Sequence, residues 1–419
     1  MDAGGRATQE QLPREQSGCG NLLINEPKQL NVDIVIFGGG VAGLWLLARC
    51  RQAGYQTLLL ENESLGAGQT RFSQGIIHGG TKYALTGKLT ASSESIFAMP
   101  KIWRDCLEGK GEVDLSSAAI LSEHQYMWST PGLLSRLSGF FASRIVRGRM
   151  QAVKKESYPA AFQNKKFKGK VYQLDEPVID AASIIHALAK PNLKNIMQIK
   201  SVKNFSKKTV SVEAANAEVW NIHAEKIILS AGQGNAGLLK QMGRSVPEMQ
   251  LRPLKMVMVR GGLPEKLYAH CLGANVNPRI TITSGEDKQG NVVWYLGGQL
   301  AEEGIHRTDE EQINKAKKEL QTLMPWLDFL AMQWATLDIS RAEPEQKDGQ
   351  RPSTSFFYED NNVITTWPTK LALTPNLAKD VLAQLEKQNV TKSGVSELPD
   401  FSYASFADLP WQEEDKWSH

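Results

Sequence analysis

The chain has 419 residues, of which 41% are hydrophobic and 22% are charged, and its formal net charge at pH 7 is +3. This composition is typical of a globular protein with two domains or one large discontinuous domain, and so small a charge does not by itself indicate a nucleic-acid-binding or membrane protein. No apolar run approaches the ~20 residues of a membrane span. The four cysteines are scattered without a C-x-x-C pair, so we expect no metal site and no disulfide framework.

Residues 1–30 are polar and rich in glycine, and they contain no apolar segment of the kind found in a signal peptide. We therefore expect a disordered leader. The scattered cysteines favour a reducing compartment, so the predicted location is cytoplasmic.

A strand–turn–helix–strand pattern follows the leader. Residues 32–37 form a short apolar run rich in β-branched side chains, which is typical of a strand buried on both faces. Residues 44–51 predict a helix, and residues 57–60 form a second apolar strand that ends at Glu61. Three glycines with the spacing G-x-G-x-x-G lie between the first strand and the helix: Gly38, Gly40 and Gly43.

This order of elements predicts a dinucleotide-binding unit. The first glycine permits a tight turn, the second lets a pyrophosphate approach the backbone, and the third lets the helix pack closely on the strand. The helix N-terminus, here Val41 and Ala42, offers free N–H groups to the phosphates. Glu61, followed by Asn62, can accept hydrogen bonds from both ribose hydroxyls, and an acid at this position disfavours NADP.

A loop rich in glycine and serine leads to His78-Gly79-Gly80. Such loops carry function when a rigid scaffold positions them, and an imidazole titrates near neutrality, so His78 can accept a proton from a substrate hydroxyl or amine. The dinucleotide unit followed by S-x-G-I-I-H-G-G-x-x-Y resembles the FAD-dependent oxidoreductases of the D-amino-acid oxidase superfamily. Within that group it is most similar to the glycerol-3-phosphate dehydrogenase and 2-hydroxyacid dehydrogenase branches.

The resemblance implies FAD as the cofactor and an α/β fold, in which a discontinuous Rossmann-like FAD-binding domain carries an inserted antiparallel β-sheet substrate domain. It also implies that the loop runs along the pyrophosphate and that His78 lies near the reactive ring. The FAD-binding domain would comprise residues 31–90, 171–245 and 335–389, and the substrate domain residues 91–170 and 246–334. The loop residues expected to line the cofactor are Gln69, Thr70, Ser73, Gln74 and Gly75.

The next part of the chain predicts a helix at residues 88–110 and strands within residues 118–130. Lys and Arg then dominate residues 144–170, against the single acid Glu156. Such a run is typical of a solvated face that is balanced by acidic regions elsewhere. The alternative is a contact site for RNA or for an anionic membrane surface, which would place the protein peripherally on the inner face of a membrane.

Asp180 can cap a helix over residues 181–190. Beyond it, residues 196–202 predict a strand, in which the resemblance places Val202 beside the adenine. Residues 226–230 form an apolar strand followed by Ala231 and Gly232, which resembles the second flavin motif of the superfamily. A hairpin is predicted between these two strands, from residues 208–212 and 218–223.

The C-terminal part predicts an antiparallel sheet, a capped helix and a return to the cofactor. Thr308 and Glu311 have the spacing of a capping box. In the strand–loop–helix pattern of residues 362–385, the resemblance implies that Thr369 and Leu371 line the cofactor. Residues 390–419 are polar with scattered aromatics, which predicts a tail that docks partly on the surface. The sheet strands are predicted at residues 251–260, 279–284 and 292–298.

The reaction implied by the resemblance is removal of a hydride to flavin N5 from a C–H that bears a hydroxyl, in a small anionic substrate such as glycerol 3-phosphate or a 2-hydroxyacid. His78 would take the substrate proton. Arg341 or Lys370 would hold the anionic group, since a guanidinium binds a carboxylate or phosphate through two parallel hydrogen bonds. Alternatives are an amine or amino-acid oxidase or dehydrogenase, a flavoenzyme acting on modified RNA, and a flavoprotein kept for binding. Oxygen, a quinone or a carrier could each accept the electrons.

Overall fold

The computed structural model describes residues 1, 26–80, 91–129, 150–272, 278–349 and 352–417. Most of the predicted leader and the first residues of the basic segment, 144–149, therefore lie outside the described residues. Within the described ranges, no helix is long and apolar enough to cross a membrane.

The secondary structure of these ranges is mixed α and β. The strands are β1 (Lys28–Phe37), β2 (Thr57–Glu61), β3 (Ile120–Ser122), β4 (Gln125–Ser129), β5 (Met150–Ala152), β6 (Lys170–Leu174), β7 (Val178–Ile179), β8 (Ile196–Ser206), β9 (Thr209–Ala214), β10 (Val219–Leu229), β11 (Met249–Arg260), β12 (Ala269–Cys271), β13 (Ile280–Glu286), β14 (Val292–Gly297), β15 (Gln333–Pro344), β16 (Phe356–Asp360) and β17 (Val363–Trp367). The helices are α1 (Val41–Gln52), α2 (Ala91–Leu107), α3 (Ala181–Ala189), α4 (Gly234–Gln241), α5 (Gln299–Glu302), α6 (Asp309–Leu323) and α7 (Thr374–Lys387).

The first sheet joins seven strands that come from distant parts of the chain. β1 lies between β2 and β10 and runs parallel to both. β10 also pairs in parallel with β17, whose other edge carries β16 in the antiparallel direction. β8 is parallel to β2, and β9 connects β8 to β10 through antiparallel ladders.

Apolar side chains cover both faces of this sheet. Ile34 and Ile36 of β1 pack into the cluster formed by α1, α3 and α7, whereas Val35 and Phe37 pack into a second cluster on the opposite face. This alternation follows from the period of two along a strand, and it explains why β1 reads as a continuous apolar run.

The second sheet has eight strands in the order β15-β11-β14-β13-β12-β4-β6-β5. Its ladders are antiparallel except for the parallel pair of β12 and β4. α6 packs on this sheet and begins with the predicted capping box, in which the Glu311 N–H donates to the Thr308 side chain and the Glu311 carboxylate accepts from the Thr308 N–H. The strands predicted at residues 251–260, 279–284 and 292–298 are confirmed as β11, β13 and β14.

Some predicted boundaries differ from the observed elements. β1 starts at Lys28, inside the predicted leader, because Lys28 pairs with Trp220 of β10. The strands predicted at residues 218–223 and 226–230 are one continuous strand, β10 (Val219–Leu229), rather than two.

Three predicted domain boundaries fall within or next to elements that pair or pack across them. β15 pairs with β11 along its whole length, and β6 pairs with β4, so the boundaries at 335 and 171 do not coincide with an edge of the second sheet. α2 packs on the layer of the first sheet, where the Trp103 Nε1–H donates to the Ala372 carbonyl at 3.0 Å and the Trp103 ring lies 4.9 Å from that of Trp45. The boundary at 91 therefore cuts this packing.

The C-terminal segment, residues 390–417, makes contacts along most of its length. Its backbone pairs with the loop after β2, where the Leu65 N–H donates to the Ser405 carbonyl at 2.7 Å. Further along, Trp411 packs beside Tyr295 and Glu414 forms two hydrogen bonds with Arg260, at 2.9 and 2.8 Å. The predicted docking is thus more extensive than a partial surface contact, and it connects the first sheet to the second.

Candidate functional site

The glycine turn is as closely packed as the sequence pattern predicts. Gly38 has a φ of +106°, and a Cβ at that position would lie 2.5 Å from the Ser230 carbonyl oxygen at the end of β10. A Cβ at Gly43 would lie 1.9 Å from the Gly38 carbonyl oxygen. Both distances are shorter than any real Cβ contact, so α1 can lie against the end of β1 only because these residues are glycines.

The N-terminus of α1 has the properties of an anion site. A Cβ at Gly40, the N-cap residue, would meet only the Thr70 Oγ1, at 3.2 Å. The first turn contains no acidic residue, and Leu44 is the residue whose N–H donates to the Gly40 carbonyl. The first N–H groups of a helix have no partner within the helix, and this applies to those of Ala42 and Gly43. Thr70 borders this helix N-terminus, since its Oγ1 accepts from the Val41 N–H at 3.1 Å.

Glu61 lies beside the same turn, at the end of β2. Its carboxylate accepts from the backbone N–H of Gly39, and from those of Asn62 and Glu63 at 2.8 Å each. Burial raises the pKa of the Glu61 carboxyl, and these three N–H groups counteract only part of the effect. Glu61 and Asn62 thus lie next to the glycine turn at the end of β2, and their contact with a ribose stays a prediction.

Gln69 brings three elements to one point. Its Oε1 accepts from the Ala342 N–H of β15 at 3.1 Å and would lie 3.2 Å from a Cβ on Gly232. The Gly232 carbonyl in turn accepts from the Nε1–H of Trp367, at the end of β17, at 3.1 Å. The neighbouring Ala231 N–H donates to the Asn235 side chain of α4 at 2.8 Å. The loop, the turn after β10 and the end of β17 therefore meet next to the second sheet.

The next loop residues differ in what they contact. The Ser73 hydroxyl is buried without a hydrogen-bond partner among the described residues, and the same holds for Ser230 at the end of β10. The Gln74 Nε2–H donates into the second sheet, its shortest contact being 3.2 Å to the Tyr295 carbonyl. Gly75 packs on β7, where a Cβ would lie 2.0 Å from the Ile179 carbonyl oxygen. Gln74 and Gly75 thus anchor the loop, whereas the two serine hydroxyls are suited to a polar ligand.

The other expected cofactor residues lie at the margins of the first sheet. Val202 of β8 pairs with Val212 and packs partly against the apolar cluster on the face opposite α1. Thr369 has a φ of +62°, and its hydroxyl donates to the Thr354 carbonyl at 2.9 Å. Leu371 begins the 3-10 turn that leads into α7.

The loop ends in a cluster of two histidines and a carboxylate, in which the structure adds Glu176 and His270 to the predicted His78. The His78 Nδ1 lies 3.2 Å from a Glu176 oxygen, and one ligand atom from each of the three side chains lies within 4.8 Å of the others. The other Glu176 oxygen accepts from the Gly79 N–H at 2.9 Å. The two imidazole rings lie 6.0 Å apart with an interplanar angle of 18°.

The electrostatics of Glu176 are set by its neighbours. Burial acts to raise the pKa of this carboxyl, but His78, His270 and the Gly79 N–H lower it to about 2. The carboxylate is therefore ionised at neutral pH although its side chain is only 4% exposed. By contrast, the imidazole of His78 is 43% exposed.

Arg341 and Lys370, the basic residues predicted to hold the anionic group, lie on different elements. Arg341 lies on β15 opposite Arg252, one residue from the hydrogen bond between Ala342 and Gln69. Lys370 precedes the turn into α7 and is half-buried. Lys255 and Arg279, by contrast, are held in ion pairs within the second sheet and α6: Lys255 with Asp309 and Asp338, and Arg279 with Glu319.

The lysines in the described part of the basic segment are solvent-exposed. Contact of this segment with RNA or an anionic membrane stays a prediction. The exposed lysines are Lys154, Lys155, Lys165, Lys166, Lys168 and Lys170.

Comparison with known proteins gives consistent matches over nearly the whole chain. The family model described as FAD dependent oxidoreductase, DAO, matches residues 33–357. The chain is 45% identical over 387 residues to the probable FAD-dependent oxidoreductase PA4991 of Pseudomonas aeruginosa, which covers 92% of this chain and 99% of that protein. The crystal structure of PA4991 aligns with a TM-score of 0.79 and 41% identity over 92% of this chain and 98% of that chain.

More distant structures share the fold. A glycine oxidase from Geobacillus kaustophilus aligns with a TM-score of 0.60 and 15% identity over 89% of this chain and 100% of its own. The dithionite-reduced L-α-glycerophosphate oxidase from Mycoplasma pneumoniae, with FAD bound, aligns with a TM-score of 0.59 and 14% identity over 91% of this chain and 99% of its own.

The residues present suit FAD. The helix N-terminus at Gly40 has no acidic residue in its first turn and suits a diphosphate, and Glu61 provides a carboxylate beside the same turn. Two buried hydroxyls, those of Ser73 and Ser230, have no partner among the described residues. Together with the extent of the matches, this fit establishes the class of the protein: the chain belongs to the DAO family of FAD-dependent oxidoreductases.

Proposed function

We propose that this oxidoreductase removes a hydride from a C–H that bears a hydroxyl, in a small anionic substrate of the glycerol-3-phosphate or 2-hydroxyacid type. The observation that supports this reaction most directly is the pairing of His78 with the buried carboxylate of Glu176, at the end of the loop that starts beside the glycine turn. An imidazole paired with a carboxylate is suited to take the proton of a hydroxyl.

We further propose that the two sheets correspond to two domains. The first sheet and its helices would form a discontinuous Rossmann-like domain that holds FAD, because its strands come from residues 28–61, 196–229 and 356–367. The second sheet, which is almost entirely antiparallel, would be the inserted substrate domain. His78 is hydrogen-bonded to Glu176 and lies close to His270 of β12. The reactive position would therefore fall where the loop meets this second sheet.

Residues around the glycine turn would hold the cofactor. The N–H groups at the start of α1 and the hydroxyls of Thr70 and Ser73 would contact the diphosphate, and Glu61 would contact the ribose. Ala231 and Gly232 would let the dinucleotide pass the end of β10, and Leu371 with Thr369 would border it on the side of α7. Bound FAD supplies the acceptor for the hydride.

The chain's own residues would then bind and deprotonate the substrate. His78 would accept the hydroxyl proton as the hydride leaves the adjacent carbon, and its exposure of 43% leaves it accessible to a ligand. Arg341 or Lys370 would hold the anionic group, with Arg341 favoured because a guanidinium binds a carboxylate or phosphate in a bidentate manner. Oxygen, a quinone or an electron carrier would reoxidise the cofactor.

A second candidate is oxidation of an amine or amino acid. It is supported by the similarity to a glycine oxidase structure, which aligns as well as the L-α-glycerophosphate oxidase does. Both reactions remove a hydride from a carbon next to a heteroatom, so the fold is compatible with either.

The test is anaerobic reduction of the protein-bound flavin, which is measured as the loss of its visible absorbance. L-Glycerol 3-phosphate, 2-hydroxyacids and the corresponding amino acids would be compared at equal concentrations. We expect a hydroxy compound to bleach the flavin of the wild-type protein. In the His78→Ala variant, the rate of flavin reduction at saturating substrate should be ~10²–10⁴ times lower.

Bleaching by amino acids alone would transfer support to the second candidate. Reduction by dithionite but by none of the compounds would contradict both substrate classes. An unchanged rate in His78→Ala would remove His78 from the reaction, whichever substrate is oxidised.

A further inference from the structure

The buried carboxylate of Glu176 lies behind the exposed imidazole of His78. The Glu176 side chain is 4% exposed. One of its carboxylate oxygens lies 3.2 Å from the His78 Nδ1. A carboxylate inside and an imidazole outside is the arrangement that a proton acceptor requires, because only the outer group needs access to the substrate.

The protonation state of Glu176 determines what His78 must do at its Nδ1. The pKa of about 2 keeps this carboxyl ionised at neutral pH, and an ionised carboxylate can only accept hydrogen bonds. The Nδ1 of His78 must therefore carry the proton and donate it to Glu176. In the neutral imidazole the second nitrogen, Nε2, then holds the free lone pair.

Two further contacts restrict the geometry of this pair. The Gly79 N–H, in the residue after His78, donates to the other Glu176 oxygen at 2.9 Å, which fixes the carboxylate relative to the loop. The ring of His270 lies nearly parallel to that of His78 at 6.0 Å, and the Nδ1 of His270 lies 2.9 Å from the Thr281 Oγ1. The second sheet thus supports the cluster from the side opposite the loop.

We propose that Glu176 is a positioning residue that holds His78 as its Nδ1–H tautomer, so that the Nε2 of His78 accepts the substrate proton. This inference rests on the proposed function, and it adds a role for Glu176 and a tautomer for His78. In the step, the substrate O–H bond breaks and its proton goes to Nε2. The C–H electron pair leaves as the hydride, for which FAD is the acceptor, and the carbon becomes a carbonyl. The resulting imidazolium of His78 is stabilised by the negative charge of Glu176.

A metal ion held by the same three side chains is the competing interpretation. One ligand atom from each side chain lies within 4.8 Å of the others. Both Glu176 oxygens, however, already have hydrogen-bonding neighbours, the His78 ring and the Gly79 N–H, and the Nδ1 of His270 lies 2.9 Å from the Thr281 Oγ1. These contacts favour the hydrogen-bonded pair.

The first test is ¹⁵N NMR of the purified protein labelled at histidine, in which His78 is assigned by the signals lost in His78→Gln. We expect His78 to show a protonated Nδ1 and an unprotonated Nε2 at a pH where the ring is neutral. A protonated Nε2 in the wild-type protein would overturn the proposal, and this measurement needs neither a folded Glu176 variant nor substrate turnover.

The second test is Glu176→Gln, with Glu319→Gln as the matched control, since Glu319 is also a buried carboxylate that pairs with a basic side chain. We expect Glu176→Gln to shift the His78 tautomer toward Nε2–H and to lower the rate of flavin reduction at saturating substrate ~10–10³-fold. Its affinities for FAD and substrate should stay within about twofold of wild type. Equal effects of the two variants on tautomer and rate would overturn the proposal.

The outcome for Glu176 can be separated from that for the reaction itself. If no hydroxy compound reduces the wild-type flavin, the proposed function fails. The NMR measurement still tests the tautomer of His78, because it does not require substrate. If a hydroxy compound reduces it and Glu176→Gln behaves like wild type, only the positioning role fails. Stoichiometric binding of added Zn²⁺ that is lost in both His78→Gln and His270→Gln would establish the metal site instead and overturn the proposal.

Discussion

The Val41 N–H donates a hydrogen bond to the Thr70 Oγ1 at 3.1 Å, and this bond joins the first turn of α1 to a loop 29 residues later in the chain. It places a hydroxyl at the edge of the space where the helix presents its positive end. The loop and the glycine turn therefore form one surface rather than two independent ones.

Replacement of Thr70 by valine should weaken FAD binding. Valine keeps the shape of the side chain but removes the hydroxyl proposed to contact the diphosphate, and loss of that hydrogen bond costs about 1 kcal/mol, or roughly a fivefold increase in Kd. The measurement is a fluorescence titration of the apoprotein with FAD. Thr322→Val is the control, because Thr322 makes its hydrogen bond within α6. Equal Kd values for the two variants would remove Thr70 from the cofactor site.

Two glycines of the turn should respond differently to alanine. In Gly43→Ala the new Cβ would lie 1.9 Å from the Gly38 carbonyl oxygen. Because the two atoms would overlap, α1 must move away from β1. We expect this variant to lose about 1–3 kcal/mol of stability, as overpacked sites do. In Gly40→Ala the nearest atom is a side-chain oxygen at 3.2 Å, so the apoprotein should lose less stability while FAD binding weakens.

The measurement for this pair is thermal unfolding of the apoproteins together with FAD titration. A Gly40→Ala protein that binds FAD like wild type would show that the diphosphate does not approach this residue. Similar melting temperatures for the Gly43→Ala and wild-type proteins would show that the turn can relax without cost.

Glu61 should make the stability of the apoprotein depend on pH. Burial raises its pKa in the folded protein above its ordinary value of 4.5, so the native state holds its proton to a higher pH than the unfolded chain does. The contribution of this group is therefore greatest at low pH, and it is lost as the pH rises through the folded-state pKa. Glu61→Gln removes this dependence.

The test is the difference in melting temperature between Glu61→Gln and wild-type apoprotein, measured from pH 4 to pH 8. We expect the melting temperature of the variant to rise relative to that of wild type as the pH increases. The variant should also bind FAD more weakly, because the ribose loses a charged acceptor. A difference that is constant across this range would show that the pKa of Glu61 is not raised.

The C-terminal segment should stabilise the second sheet through Trp411. This ring lies 5.6 Å from that of Tyr295 and so close to Gly285 that a Cβ there would be 2.3 Å from it. Truncation to alanine should cost about 3 kcal/mol or more, as for other buried tryptophans. Tyr403→Ala is the matched control, since Tyr403 belongs to the same segment but is 48% exposed. Denaturant unfolding distinguishes the two, and equal midpoints would contradict the packing role of Trp411.

The sequence predicts what depends on neighbouring residues. The glycine turn, the apolar strands around it and the capping box at Thr308 are each encoded within a few residues, and each is found where the pattern places it. His78 could be selected in the same way, because it ends a loop that follows a recognisable turn.

The sequence does not predict what depends on long-range pairing. Glu176 is 98 residues from His78, and His270 lies on the three-residue strand β12, so no local pattern connects them. The register between β11 and β15 likewise arises from contacts between distant segments, which is why a boundary at residue 335 separated two paired strands. The missed residues are thus supplied by β12 of the second sheet and by the segment between β6 and β7.

The position of the C-terminal segment has a consequence for biosynthesis. The Ser393 N–H donates to Asp33 across 360 residues of chain, and Glu413 forms an ion pair with Arg71 across 342 residues. On the ribosome, the elements around the glycine turn emerge long before these partners exist. The early turn and loop therefore lack these contacts until residues 393–413 have been translated, and nascent chains that stall before this point would not form them.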